Sequence, residues 1–145
     1  MKKLQKFKAL LILIFILVTI LPACSSSADA SLPMVSMDGM PTEVRSAPAT
    51  VLQAYRFAAA NPEIMKQIPC YCGCGAIGHT SNYSCYVISV DSNGAITYDQ
   101  HALGCSLCVD ITQDTMRLLK QGKSAQEIKA YVDSTYSKYG PSNIP

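Results

Sequence analysis

The first apolar segment of the chain is continuous rather than periodic: Ala9 to Leu21 carries no charge, follows Lys2, Lys3, Lys6 and Lys8, and closes on Leu21-Pro22-Ala23-Cys24. Its 13 residues fall short of the roughly 18 that a bilayer-spanning helix requires. A basic start, a short apolar run and a small-residue ending predict a signal peptide over residues 1–23. From Ser25 to about Ala47 the apolar positions lose any period and Ser, Ala, Asp, Pro and Met dominate. Residues 24–47 therefore read as a flexible tether.

Helical periodicity begins at about Pro48, where Val51, Ala54, Tyr55 and Ala58 recur at i, i+3, i+4 and i+7, predicting a helix to Ala60. Asn61-Pro62-Glu63 supplies a cap and a first-turn proline for a short second helix through Gln67, and Pro69 turns the chain out of it. Tyr83 to Val90 is rich in β-branched and aromatic residues. It is followed by Asp91-Ser92-Asn93-Gly94 and a return from Ala95 to Tyr98, which together predict a β-hairpin. A helix from about Ser106 to Gln121 places Ile111, Thr115, Leu118 and Leu119 on one side and ends at Gly122. Ser124-Ala125-Gln126-Glu127 is a capping box. It opens a last helix whose Ile128, Tyr131, Val132, Tyr136 and Tyr139 share a face and which Gly140-Pro141 stops.

These elements predict an α+β fold. One small domain, residues 48–145, would contain N-terminal helices, a cysteine knuckle, the hairpin and two C-terminal helices, an order that resembles a treble-clef zinc finger. Without residues 1–23 the chain keeps 122 residues, enough for one modest core. Of its 12 basic residues four leave with the leader, so eight face ten acidic ones, a net −2. That balance, without interleaved basic and aromatic runs, argues against a nucleic-acid partner.

The candidate chemistry is concentrated. Cys70, Cys72 and Cys74 stand in Pro69-Cys-Tyr-Cys-Gly-Cys-Gly75, Cys85 precedes the hairpin, and Cys105 and Cys108 open the following helix. Both histidines of the chain, His79 and His101, lie in the same span. Thiolate and imidazole are the ligands of soft and borderline metals, here copper(I) or zinc. Cysteines at i and i+2 can project the same way while Gly73 and Gly75 let the backbone curl, which would leave Tyr71 facing outward. At a helix N-terminus Cys105 and Cys108 gain thiolate character. Eight candidate ligands exceed the four of a single closed tetrahedral site, so two metals, a cluster, or partial pairing of the cysteines all fit the count. An even number of cysteines in a small exported domain is also the mark of a disulfide framework, against which stand the tight Cys-x-Cys-x-Cys spacing and the histidines. Met34, Met37 and Met40 in the tether could add thioethers for copper, but in a flexible tether such methionines are more often plain composition and they are left out of the ligand set.

Leu-Pro-Ala-Cys24 resembles the bacterial lipobox, which implies that Cys24 takes a diacylglycerol and becomes the lipid-modified first residue of an extracytoplasmic protein held at the cell membrane. Pro69-Cys-Tyr-Cys-Gly-Cys-Gly75, with Gly78-His79, Cys85, His101 and Gly104-Cys-Ser-Leu-Cys108, resembles the bacterial lipoproteins named for their PCYCGC motif. That resemblance implies a membrane-tethered protein and no particular mechanism. The C-terminal third is similar to the thiol-redox subunit of cytochrome c maturation, in which a Cys-x-x-Cys precedes two helices and a Tyr-Gly ending. Carried over, Cys105 and Cys108 would be a redox pair. Four further cysteines and a hairpin depart from that pattern.

Three functions follow. The leading one is a membrane-tethered lipoprotein that binds copper(I) or zinc for storage, delivery or tolerance, exchanging it with a donor or acceptor protein. Its ligands would be Cys70, Cys72, Cys74, His79, Cys85, His101, Cys105 and Cys108. The others are a thiol-disulfide exchange protein using Cys105 and Cys108, and a disulfide-stapled interaction module. No nucleophile elbow, His-Glu-x-x-His or phosphate-binding glycine loop is present, so the sequence favours a binding protein over an enzyme.

Overall fold

A computed structural model describes residues 31–144. The expected signal peptide and Cys24 lie outside them. Among the described residues six helices and one hairpin follow in order: α1 (Thr42–Arg45), α2 (Ala49–Ala60), α3 (Pro62–Met65), β1 (Val87–Val90), β2 (Ile96–Tyr98), α4 (His101–Gly104), α5 (Ser106–Lys120) and α6 (Ala125–Tyr136). Short 3₁₀ turns occupy Cys74–Ile77, Tyr83–Cys85 and Ser137–Tyr139. The α+β class and the order of knuckle, hairpin and helix are as the sequence predicts. Among the described residues no helix is long and apolar enough to cross a membrane.

Helix α5 is the central element, packing against α2 on one side and α6 on another. It buries Cys108, Val109, Ile111, Thr112, Thr115, Met116 and Leu118, a wider face than the stripe predicted from leucine and isoleucine alone. Helix α2 answers with Ala54, Tyr55, Phe57 and Ala58. At α6 the capping box forms: Ser124 Oγ accepts from the Glu127 amide, and the Glu127 carboxylate accepts from the Ser124 amide at 2.8 Å.

Four details differ from the sequence reading. The stretch expected to be a flexible tether is packed from Leu32 onward: Met40 and Val44 join the core and Leu32, Met34 and Val35 lie against it. Arg56 donates to the Val35 carbonyl at 2.9 Å, and Asn61 to that of Pro33. Aperiodic sequence conceals such packing because an extended segment docks by individual side chains. The first strand starts at Val87 rather than Tyr83, because Tyr83–Cys85 tightens into the turn that carries Cys85 inward. Tyr139 is exposed, since the chain changes from α to 3₁₀ geometry after Tyr136 and the helical face no longer continues. Tyr71 faces inward, 5% exposed, with its hydroxyl donating to Asp133 at 2.6 Å.

The hairpin pairs Val87 with Tyr98 and Val90 with Ile96, and its register shifts between Val87 and Ser89. Asp91 sets the turn by accepting the amides of Asn93 and Ala95, both at 2.8 Å, with Gly94 at φ +83°. Backbone pairing continues past the strands, where the Asp99 amide donates to the Tyr86 carbonyl at 2.9 Å. This last bond fixes where the segment leading into α4 begins.

Candidate metal centre

The three cysteines of the knuckle converge because the chain around them bends tightly. Gly73 at φ +83° and Gly78 at φ +92° flank the Cys74–Ile77 turn, a conformation that side chains rarely adopt. The sulfurs of Cys70, Cys72 and Cys74 then lie within 4.8 Å of one another. Cys85 arrives from the turn before β1, and its Sγ is 3.7 Å from that of Cys74. Helix α5 contributes the last two: Cys105 caps it and Cys108 lies in its first turn, with the two sulfurs 3.1 Å apart. Cys108 Sγ reaches Cys70 at 3.5 Å and Cys72 at 3.7 Å.

Both histidines join this cluster. His101 opens α4, and its Nε2 is 3.5 Å from Cys72 Sγ. His79 follows the Gly78 turn, meets the His101 ring edge to face at 5.1 Å, and groups with Cys74, Cys85 and His101. The structure thus brings all eight predicted residues to one locus. Among the described residues no disulfide joins their six sulfurs, which lie in a single cluster.

Sequence reasoning missed the residues that hold the ligands in place. Asp99 accepts the His101 amide at 2.7 Å through Oδ1, and its Oδ2 is 3.4 Å from His79 Nε2. A carboxylate there favours the proton on Nε2 and leaves the Nδ1 lone pair directed elsewhere. Among the described residues His79 Nδ1 is the buried side-chain nitrogen or oxygen without a hydrogen-bond partner. Buried polar atoms rarely stay unsatisfied, and an imidazole nitrogen beside thiols is suited to a metal ion. Asn143, near the chain end, accepts the Cys70 amide at 2.7 Å and donates Nδ2 to Cys74 Sγ at 3.4 Å. Asn82 and Tyr86 both donate to the Cys108 carbonyl, at 3.3 and 2.8 Å. The Tyr55 hydroxyl anchors the Asp99 carbonyl at 2.7 Å. Tyr55, Asn82, Tyr86 and Asn143 carry no local signal because each acts across a large sequence separation, and Asp99, although only two residues from His101, also reaches His79 in a different segment.

Crowding divides the protons unevenly. Hydrogen bonds from Cys108 and then Cys85 bring the Cys70 thiol down to about 2, while Cys105, accepting from Cys108, falls to about 5. Donation to Cys105 and Cys70 pushes Cys108 up, and burial does the same to Cys72. Thiolates at van der Waals contact repel one another. The full set therefore loses its protons together only when a cation compensates the charge.

This chain is a small α+β domain built around one buried cysteine and histidine cluster that could hold a metal ion. It belongs to the family described as protein of unknown function with PCYCGC motif, whose profile matches residues 14–145. No curated protein and no solved structure matches the chain, so the likeness to the thiol-redox subunit of cytochrome c maturation gains no support.

Proposed function

We propose that this protein is a lipoprotein, tethered outside the cell membrane through lipidated Cys24, that binds a thiophilic metal, copper(I) or zinc, for storage, delivery or tolerance. The observation that carries the reading is convergence: the eight Cys and His side chains singled out in the sequence meet in overlapping ligand groups, each within 4.8 Å. Thiolates and imidazoles select these two metals over hard cations such as magnesium or calcium. Half-buried Cys72, His101 and Cys105 leave one side of the cluster open to a donor or acceptor protein.

The test is elemental analysis with thiol counting on the full chain, expressed with export and purified anaerobically. Stoichiometric copper or zinc that falls in Cys72→Ser is the expected result. Absence of metal, together with absence of reactive thiols, would sink the reading and leave a disulfide-stapled module. In the same cells, labelled fatty acid should enter the wild type and not Cys24→Ser; equal labelling would remove the lipid anchor from the proposal.

The rival reading is thiol-disulfide exchange, in which Cys105 at the start of α5 attacks and Cys108, its sulfur 3.1 Å away, resolves the mixed disulfide. Exchange activity that is lost in Cys105→Ser, in protein free of metal, would move the assignment there.

A further inference from the structure

Resting on the metal-binding reading, we infer that the cluster is two adjacent four-coordinate sites, an inner one sealed in the core and an outer one from which an ion is exchanged.

The ligand atoms do not form a single uniform group. One set joins Cys72, His101, Cys105 and Cys108, and a second joins Cys74, His79 and Cys85 with His101. Cys70 stands between them. Its sulfur is 3.4 Å from Cys72 and 3.5 Å from Cys108, yet it also groups with Cys74 and with Cys85. His101 Nε2, at 3.5 Å from Cys72 Sγ, falls naturally to the first set, which leaves Cys70 to complete the second. Each set then has three thiolates and one imidazole, the ligand number and type of a tetrahedral zinc site. Eight ligands in one compact locus exceed what a single such ion can use.

The two sets differ in access. In the inner set Cys74, His79 and Cys85 are 3%, 9% and 0% exposed, whereas Cys72, His101 and Cys105 of the outer set are each half-buried. Polar groups from distant parts of the chain also fix the inner ligands. Asn143 from the chain end covers Cys74, and Asp99 orients His79 so that its unpartnered Nδ1 is the ligand atom. An attacking chelator or partner thiol must displace ligands one at a time from an accessible side, and only the outer set presents one.

The experiment loads the full chain anaerobically with zinc, removes unbound ions, counts zinc per chain, and follows its release to a chromogenic zinc chelator. Two zinc ions per chain should leave in two phases of equal amplitude. Cys105→Ser should retain one ion and lose the fast phase, and His79→Gln should retain one ion and lose the slow phase, with circular dichroism confirming that each variant keeps its helices. The wild-type count and its two phases decide the matter even if His79→Gln fails to fold. One zinc per chain, more than two, a single phase, or loss of the same phase in both variants would overturn the paired arrangement. Retention of copper(I) without zinc would overturn it as well while leaving the thiophilic-metal reading intact. Retention of neither metal would remove both.

Discussion

Tyr86 shows what one buried side chain contributes to the cluster. Its ring meets Tyr55 edge to face at 5.0 Å, and its hydroxyl is 2.8 Å from the Cys108 carbonyl and 2.7 Å from Thr112 Oγ1. Complete burial drives its ionisation well above the ordinary tyrosine range. The group is therefore a neutral donor, and its task is to hold the carbonyl of a cysteine at the start of α5. Tyr86→Phe keeps the ring and removes the hydroxyl, at a cost of about 1–2 kcal/mol for a buried hydrogen bond. Urea unfolding of the two proteins measures this. An unchanged midpoint would mean that Asn82 and Thr112 satisfy the Cys108 carbonyl without help. Asp99 works by the same logic with two oxygens, one for the His101 amide and one beside His79.

Among the elements, α6 owes its start to local chemistry and its face to packing. Ser124 and Glu127 close the capping box, and Lys123 Nζ adds a contact to the Glu127 carboxylate at 2.9 Å. The hydrogen bond from the Ser124 amide, then Lys123 and the Ser124 hydroxyl, hold this carboxyl at about 2 against an ordinary 4.5. Because the folded value is depressed, its stabilising contribution is fully present above about pH 4.5 and is lost as the pH falls toward 2. Glu127→Gln retains the capping geometry without the titrating charge. Its stability should therefore vary less than that of the wild type across this window, as read by urea midpoints at several pH values. Identical profiles would assign the acid sensitivity to other carboxylates. The 3₁₀ turn after Tyr136 belongs to the same scale, since it ends the helical face and leads the chain back toward the knuckle.

On the scale of the whole molecule, the two ends of the described chain pack at different places, the first on the core beside α2 and the second on the knuckle. Residues from Leu32 onward cover the core beside α2. At the other end the Asn143 amide donates to the Cys70 carbonyl at 3.1 Å while its side chain serves Cys70 and Cys74. Gly140 is what allows this close return: a Cβ there would lie 2.8 Å from the Tyr71 carbonyl oxygen, which is backbone and cannot swing aside. Its φ of 167° is ordinary extended geometry, so proximity alone excludes a side chain. Gly140→Ala should lift the tail from the knuckle and destabilise the fold by about 1–3 kcal/mol, the usual range for overpacking. Chemical denaturation checks the value. Wild-type stability in that variant would show that the tail shifts freely.

The periodic helices α2, α5 and α6, the Asp91 to Gly94 turn, the capping box and the eight cysteines and histidines were all legible in the sequence, because each is specified by residues a few positions apart. Period, cap and turn chemistry act locally, so sequence alone determined those elements and the ligand types on offer. The pairing of Tyr71 with Asp133, the docking of residues 32–47, the short helix at His101 and the roles of Asp99, Asn82, Tyr86 and Asn143 were decided only by tertiary structure. Apart from the local bond between Asp99 and the His101 amide, they depend on contacts between distant segments, and a polar residue gives no local sign of which buried group it will satisfy. The same reason divides the site itself: the sequence supplied its ligands, and the packing of α5 against the knuckle and the turn before β1 determined which of them meet and which stay open to solvent.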